Sequence, residues 1–221
     1  MTALCVDLWS WHLTDPDPTD LSDDERARAD RFVFAADRDR YIAGRARLRH
    51  ILGRCIDRPP AAVAFRYGPY GKPVVAGVAF NLSHTGDLAV LATGPAGLQL
   101  GADIEAIRSI TMDVARLHFA PAEVATLQAL PPDARVAAFY RCWTRKEAYL
   151  KARGTGLSTD LCSFAVTLAP GDPARLTACT SGDAAAWALI DLDPAPGVAG
   201  ALAVRAAGRP VQLVHHDLDR A

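Results

Sequence analysis

Apolar and polar positions change their period several times along the chain, and each change marks an element. Leu4 to Leu13 alternate, with Trp9 and Trp11 among them, and predict a first strand that Asp15-Pro16-Asp17-Pro18 ends. Ser22-Asp23-Asp24-Glu25 has the pattern of a capping box with acids at the positive end of a helix, predicted to run to about Phe34. A second helix is predicted from near Asp37: Tyr41, Leu48, Ile51, Leu52 and Cys55 fall at helical spacing, and Pro59-Pro60 lies beyond its end. From residue 61 to 93 the segments AAVAFRYG, GVAFNLSH and DLAVLAT are short, β-rich and punctuated by Gly and Pro, as antiparallel strands are. LQLGADIEA is a further strand. Residues 111–153 return to helical spacing, with Pro121 and Pro131 at helix starts and Gly154 at a C-terminal cap. Ser163 to Val214 again reads as strands, with turns at 170–173 and 194–200.

The order strand, helices, strands thus occurs twice. It predicts an α+β fold in a pseudo-two-fold arrangement, each half a small antiparallel sheet packed with helices. The division is placed at residue 97, giving halves 1–97 and 98–221, the second ending in a polar tail in which His215 and His216 read as solvated.

Composition narrows the function classes. Half of the 221 residues are hydrophobic and the net charge is −1, which supports a sizeable core and excludes a globally basic nucleic-acid binder. No run of about 18 apolar residues exists, so no membrane span is expected, and the first residues lack a signal-peptide pattern. The five cysteines are scattered and form no CxxC pair, which fits reduced thiols in a cytoplasmic protein. Charge is uneven: residues 1–25 carry seven acids and no Lys or Arg, whereas residues 26–54 carry nine Arg against three Asp, a candidate anion site.

The candidate chemistry starts in RCWTRKEAYLKARGTG, residues 141–156. At about 100° per residue, Val136, Phe139, Tyr140 and Leu150 fall within about 60° of Trp143. Glu147 falls inside that apolar stripe, with Lys146 and Lys151 at its edges. A carboxylate there is costly unless paired or bound to a cation. Pairing with Lys151 at i,i+4 is the plain explanation. In GADIE, Asp103 and Glu105 share one face of a strand and Ala102 and Ile104 the other. That face is either a solvated charged one or a pair of hard oxygen ligands for Mg²⁺, with Glu147 as a third. In FNLSHTGD, Ser83 and His84 follow one another; no G-x-S-x-G elbow supports a hydrolase triad. Lys72 in YGKP sits on a turn that is not a phosphate-binding P-loop.

Taken jointly, GADIE, WTRKEAYLK with Asp103 and Glu147 standing 44 positions apart, FNLSH and YGKP resemble the signature of the Sfp-type 4′-phosphopantetheinyl transferase family, over about Ser22 to Leu157. The resemblance implies two similar α+β halves with the site between them, and a monomer. It implies transfer of the phosphopantetheine arm of coenzyme A to a serine of an acyl or peptidyl carrier protein, with adenosine 3′,5′-bisphosphate released. By similarity, Asp103, Glu105 and Glu147 hold Mg²⁺, and Glu147 and Lys151 are catalytic. Arg28, Arg40, Lys72, Ser83, His84 and Lys151 bind coenzyme A. Glu25 stands where the family has a lysine, a departure for which Arg45 or Arg47 are the compensating candidates. Carrier contacts are expected among residues 108–130. Two other readings remain open at the level of residues: a coenzyme A-dependent acyltransferase with His84 as base, and a catalytically silent module that binds coenzyme A or a carrier.

Overall fold

Leu88, Val90 and Ala92 project from one face of their strand and Ala89 and Leu91 from the other, and all five are buried. A strand so covered belongs in the middle of a layered fold, and this one does. The computed structural model of the chain describes residues 2–156, 159–179 and 182–219; Leu157, where the family resemblance ends, lies outside them.

The first layer is the long helix α2 (Ala35–Cys55), preceded by α1 (Asp23–Ala29). Its inner face packs Ala43, Leu48, Ile51 and Leu52 against Trp11, Phe80, Ala89 and Leu91. Those residues belong to a four-stranded sheet of β1 (Leu4–His12), β4 (Val78–Thr85), β5 (Leu88–Pro95) and β11 (Val211–Asp217), in the order β11-β1-β5-β4. Between β1 and β4 the chain also makes a hairpin of β2 (Arg66–Tyr67) and β3 (Pro73–Val74). The opposite face of the large sheet, with Val6, Leu8, Val90 and Ala92, packs on Leu100, Ala102, Ile104, Leu202 and Val204. These come from a second sheet, β6 (Leu100–Ala106), β10 (Val198–Arg205) and β9 (Trp187–Leu192), in the order β6-β10-β9. Its far side, with Ala201, Ala203 and Leu189, is covered by α5 (Pro132–Arg153) together with α3 (Met112–His118) and α4 (Pro121–Ala129). A further pair, β7 (Ala165–Val166) and β8 (Leu176–Ala178), flanks α5. The expected α+β class with two sheet-and-helix halves is the fold observed.

The differences from expectation have local causes. Helix α1 stops at Ala29 rather than near Phe34, because Phe32, Val33 and Phe34 are exposed and give a longer helix no core to pack on. The C-terminal residues are not a free polar tail, although His215 is exposed as expected. β11 crosses back and pairs in parallel with β1 in the first half's sheet. There His216 stacks on Trp9 with ring centroids 3.9 Å apart and shares a 2.8 Å hydrogen bond with Asp7. Lys146 does not sit at the rim of α5. It is fully buried, bound to Glu123 at 2.8 Å and donating to the carbonyls of Leu161 and Phe164. An ammonium can occupy a core only with such a set of acceptors.

Two close approaches set β6 in place, one to the first half and one to α5. Along β4, Asn81, Ser83 and Thr85 turn their side-chain oxygens to β6 and accept the backbone N–H groups of Ala102 (2.8 Å), Ile104 (3.3 Å) and Ala106 (3.0 Å). A row of side chains thus stands where a neighbouring strand would be. Behind β6, Gly101 lies so close to α5 that a Cβ there would be 2.3 Å from the Ala148 oxygen and the Ala152 nitrogen. Only glycine permits that approach, and it brings Asp103, two residues on along the same face, against α5.

The seam makes a first prediction. Asn81→Ala leaves the buried Ala102 N–H without an acceptor and should lower unfolding stability by about 1–3 kcal/mol. Urea denaturation measures this, and a change below a few tenths would mean that the seam does not hold the sheets together.

Candidate active site

β4 alternates, so its successive residues serve two places. Ser83 points across the seam to β6, while His84 lies on the α2 side. On the seam side, Ser83 and Asp103 are both buried, and the Ser83 hydroxyl is 3.1 Å from Asp103 Oδ1. Lys151, from the last turn of α5, places Nζ 2.6 Å from the same carboxylate oxygen and 3.0 Å from Ser83 Oγ. The second Asp103 oxygen, Oδ2, is buried and has no hydrogen-bond partner.

Glu105 and Glu147 are half-buried nearby. The pKa of Glu147 is raised first by burial, then by Asp103 and by Glu105, with Lys151 working the other way. That of Glu105 is raised by burial and by Asp103, again opposed by Lys151. Glu147 therefore belongs to a carboxylate group rather than to a closed pair with Lys151, whose ammonium reaches Asp103. Carboxyls whose pKa rises on folding favour the fold at acid pH and lose that contribution as pH climbs from about 4.5 through the raised values. Near neutral pH the group is an excess of negative charge with one bonded cation. Among the described residues, no three His, Cys, Asp or Glu side chains stand together closely enough to hold a metal ion.

On the α2 side lies a cavity of about 340 Å³. Arg28, Arg40 and His84 line it, with Phe32, Tyr41 and Arg45. Arg40 donates to Asp37 (2.7 Å) and to Asp87 (3.1 Å), and those bonds raise its pKa further. Asp87 is placed there by the tight β4–β5 turn, in which Gly86 takes a φ of 54°. Partial burial of the His84 ring, then the charges of Lys151 and Arg40, hold its pKa below the ordinary value. His84 thus feels both the cation of the carboxylate group and a cation of the cavity.

Glu25, Arg45 and Lys72 each have partners far off in the sequence. Glu25 is buried and ties α1 to α2. It accepts from Arg45 and from Arg49 Nε at 2.6 Å, and from the Ser22 N–H at 3.0 Å. Burial alone would raise its pKa; the bonds from Arg49, Ser22 and Arg45 outweigh that and lower it. Arg45 lines the cavity but is engaged by Glu25, by the Tyr67 hydroxyl and by the face of Phe65. Arg47 lies elsewhere, in a depression with Trp9, Trp11 and His50. Lys72 is not among the residues lining the cavity; its ammonium donates to the carbonyls of Leu100 (3.0 Å) and Lys151 (2.6 Å). Burial pushes its pKa down to about 8.

A family model described as 4′-phosphopantetheinyl transferase superfamily matches residues 99–204, and one described as 4′-phosphopantetheinyl transferase, N-terminal, matches residues 18–96. The chain belongs to the 4′-phosphopantetheinyl transferase family. The transferase is 37% identical to the 4′-phosphopantetheinyl transferase HetI of Nostoc sp., over 96% of this chain and 92% of HetI. It is 33% identical to the 4′-phosphopantetheinyl transferase psf-1 of Bacillus pumilus, over 88% of this chain and 84% of that protein. To the 4′-phosphopantetheinyl transferase Sfp of Bacillus subtilis it is 30% identical, over 67% of this chain and 66% of Sfp. Among the transferase's described residues no helix is long and apolar enough to cross a membrane.

The sequence did not place Asn81, Thr85, Asp37, Asp87, Phe32 or Tyr41 in the site. The period-two run Asn81-Ser83-Thr85 and the i,i+3 pair Asp37–Arg40 were the available signals.

The charge coupling gives a second prediction. Asp103→Asn removes a negative charge facing both glutamates, so the carboxyl pKa values of Glu105 and Glu147 should fall. A carbon-13 NMR titration reads both, and unchanged values would mean that the three groups do not act as a unit.

Proposed function

We propose that this transferase moves the 4′-phosphopantetheine arm of coenzyme A onto a serine of an acyl or peptidyl carrier protein, with Mg²⁺ required and adenosine 3′,5′-bisphosphate released. One observation carries this reading: the group of Asp103, Glu105, Glu147 and Lys151 and the cavity of Arg28 and Arg40 are linked through the Ser83-His84 pair of one strand. A long ligand with a phosphate at one end and a pyrophosphate further along matches that layout. The first half, residues 1–97, supplies the nucleotide contacts, and residues 98–221 supply the carboxylates and the carrier contacts.

The donor chemistry suits a divalent cation, which would have to draw the three carboxylates closer together than they stand here. Asp103 keeps a buried, unpartnered oxygen, and Glu105 and Glu147 carry raised pKa values of the kind that a hard cation would bring down. Asp103, Glu105 and Glu147 would hold Mg²⁺, which when bound offsets charge on the pyrophosphate oxygens. The chain's own groups do the rest. Arg28 and Arg40 grip the 3′-phosphate, the guanidinium of Arg40 exchanging Asp37 and Asp87 for phosphate oxygens. Ser83 and His84 donate to the pyrophosphate. Glu147, or a water that it holds, takes the proton of the carrier serine. The serine oxygen then bonds to the phosphorus on the pantetheine side, the bridging P–O bond breaks, and Lys151 steadies the departing phosphate. Ile107, Val114 and Leu117 are exposed beside Arg108 and Arg116, and this apolar and basic surface suits a carrier that is acidic around its serine. The transferase works as a cytoplasmic monomer.

Intact mass of an apo carrier protein, after incubation with the transferase, coenzyme A and Mg²⁺, should rise by one phosphopantetheine arm, with no rise in EDTA. Asp103→Ala should slow this gain by on the order of 10²–10³-fold. A rise that persists undiminished in EDTA would remove the metal from the proposal. No rise with fatty-acid, polyketide or peptide carriers would remove the transfer.

The cavity assignment is tested by affinity. Arg40→Ala should weaken coenzyme A binding by roughly 10-fold, or about 1.4 kcal/mol, and leave binding of the dephospho analogue without a 3′-phosphate within about 2-fold. Equal losses for both ligands would sink the 3′-phosphate contact.

A further inference from the structure

Lys72 is a half-buried cation whose ammonium is surrounded by backbone carbonyls. It sits in the turn of the short hairpin β2–β3, immediately before β3, where the Gly71 N–H bonds to the Gly68 carbonyl and the Gly68 N–H bonds to the Lys72 carbonyl. Tyr67, Tyr70 and Val74 of that hairpin are exposed. Lys72 goes inward instead. Its stem passes beneath the cap of α5, with Cδ 3.4 Å from where a side chain on Gly154 would begin. Its ammonium ends among carbonyl oxygens of two elements: Lys151 at 2.6 Å and Ala152 at 3.5 Å on α5, and Leu100 at 3.0 Å on β6.

Those carbonyls explain why a cation is held there. The last carbonyls of a helix lack intrahelical donors and lie at the negative end of its dipole. Gly154, in the left-handed conformation, caps with its own N–H the carbonyls of Leu150 and Lys151. Lys72 adds a charged donor to the Lys151 carbonyl and extends the same bond set to the first residue of β6. Lys151 is thereby fixed at both ends: at its backbone by Lys72, and at its tip by Asp103 and Ser83. Asp103 lies three residues along β6 from the carbonyl that Lys72 also binds.

We propose that Lys72 is a positioning residue: it clamps the end of α5 to the start of β6 and so fixes where the Lys151 ammonium stands against Asp103 and Ser83. The proposal rests on the catalytic role given above to Lys151. It gives the YGKP lysine a task inside the protein rather than on the phosphates of the ligand, and it makes the hairpin a brace for the active site.

The two roles separate experimentally. In Lys72→Met, a clamp predicts that kcat for transfer falls by about 10-fold or more while the Kd of coenzyme A stays within about 2-fold. It also predicts faster amide hydrogen exchange in residues 150–154. Lys72→Gln, which keeps two N–H donors without the charge, should recover part of kcat and slow that exchange again. A coenzyme A Kd weakened by about 10-fold in both variants, with exchange in residues 150–154 unchanged, would overturn the proposal and return Lys72 to the phosphates. The exchange measurement needs no turnover. If the wild-type protein transferred nothing, the role of Lys151 would fail, while unprotected amides in Lys72→Met would still establish the clamp. Should Lys72→Met not fold, Lys72→Gln alone decides: exchange at 150–154 indistinguishable from wild type together with a weakened Kd overturns the clamp.

Discussion

Three side-chain oxygens on one edge strand hold β6 in register against the first half's sheet. Asn81, Ser83 and Thr85 accept the backbone N–H groups of β6 that no strand on that side accepts. Unpaired buried N–H groups are costly, so the seam fixes the register of β6 against β4. Everything in the candidate site follows from that register. It sets Ser83 beside Asp103, and it leaves His84, one residue on, on the face that looks toward α2. A slip of one residue would turn Asp103 and Glu105 into the sheet-to-sheet core and expose Ala102 and Ile104.

Charge is distributed with the same economy. The carboxylates gathered by β6 and α5 exceed the cations bonded to them, whereas several arginines of the basic block are neutralised internally. Glu25 shows how a departure from the family pattern is absorbed. In place of a cation facing a ligand, the chain has a buried carboxylate that binds Arg45 and Arg49 and fastens α1 to α2. The cations left to line the cavity beside His84 are then chiefly Arg28 and Arg40, and Arg40 is held by two exposed aspartates that a phosphate can replace.

Helix α5 shows why one period is not enough to place a charged residue. It is enclosed by β6, β10, β7 and α4, so residues all round it are buried. Arg145 reaches Asp191 with two bonds, and Lys146 reaches Glu123. Glu147 has neither of these partners and instead feels the charges of Asp103, Lys151 and Glu105. The three consecutive charged side chains are thus assigned to two structural ion pairs and one site by partners that lie far off in sequence.

The sequence by itself determined the α+β class, the position of most helices and strands, and the residues of the signature, because these depend on local period, caps, turns and motif spacing. Pro121, Pro131 and Gly154 bound their helices through constraints that each residue carries with it. The tertiary structure alone decided the return of β11 to β1, the burial of Lys146 and Arg145, the capture of Arg45 by Glu25, and the inward turn of Lys72. Each of these turns on a partner distant in the chain. Burial and pairing of a charge are properties of the assembled neighbourhood, where desolvation is offset only by groups that folding brings within hydrogen-bond reach.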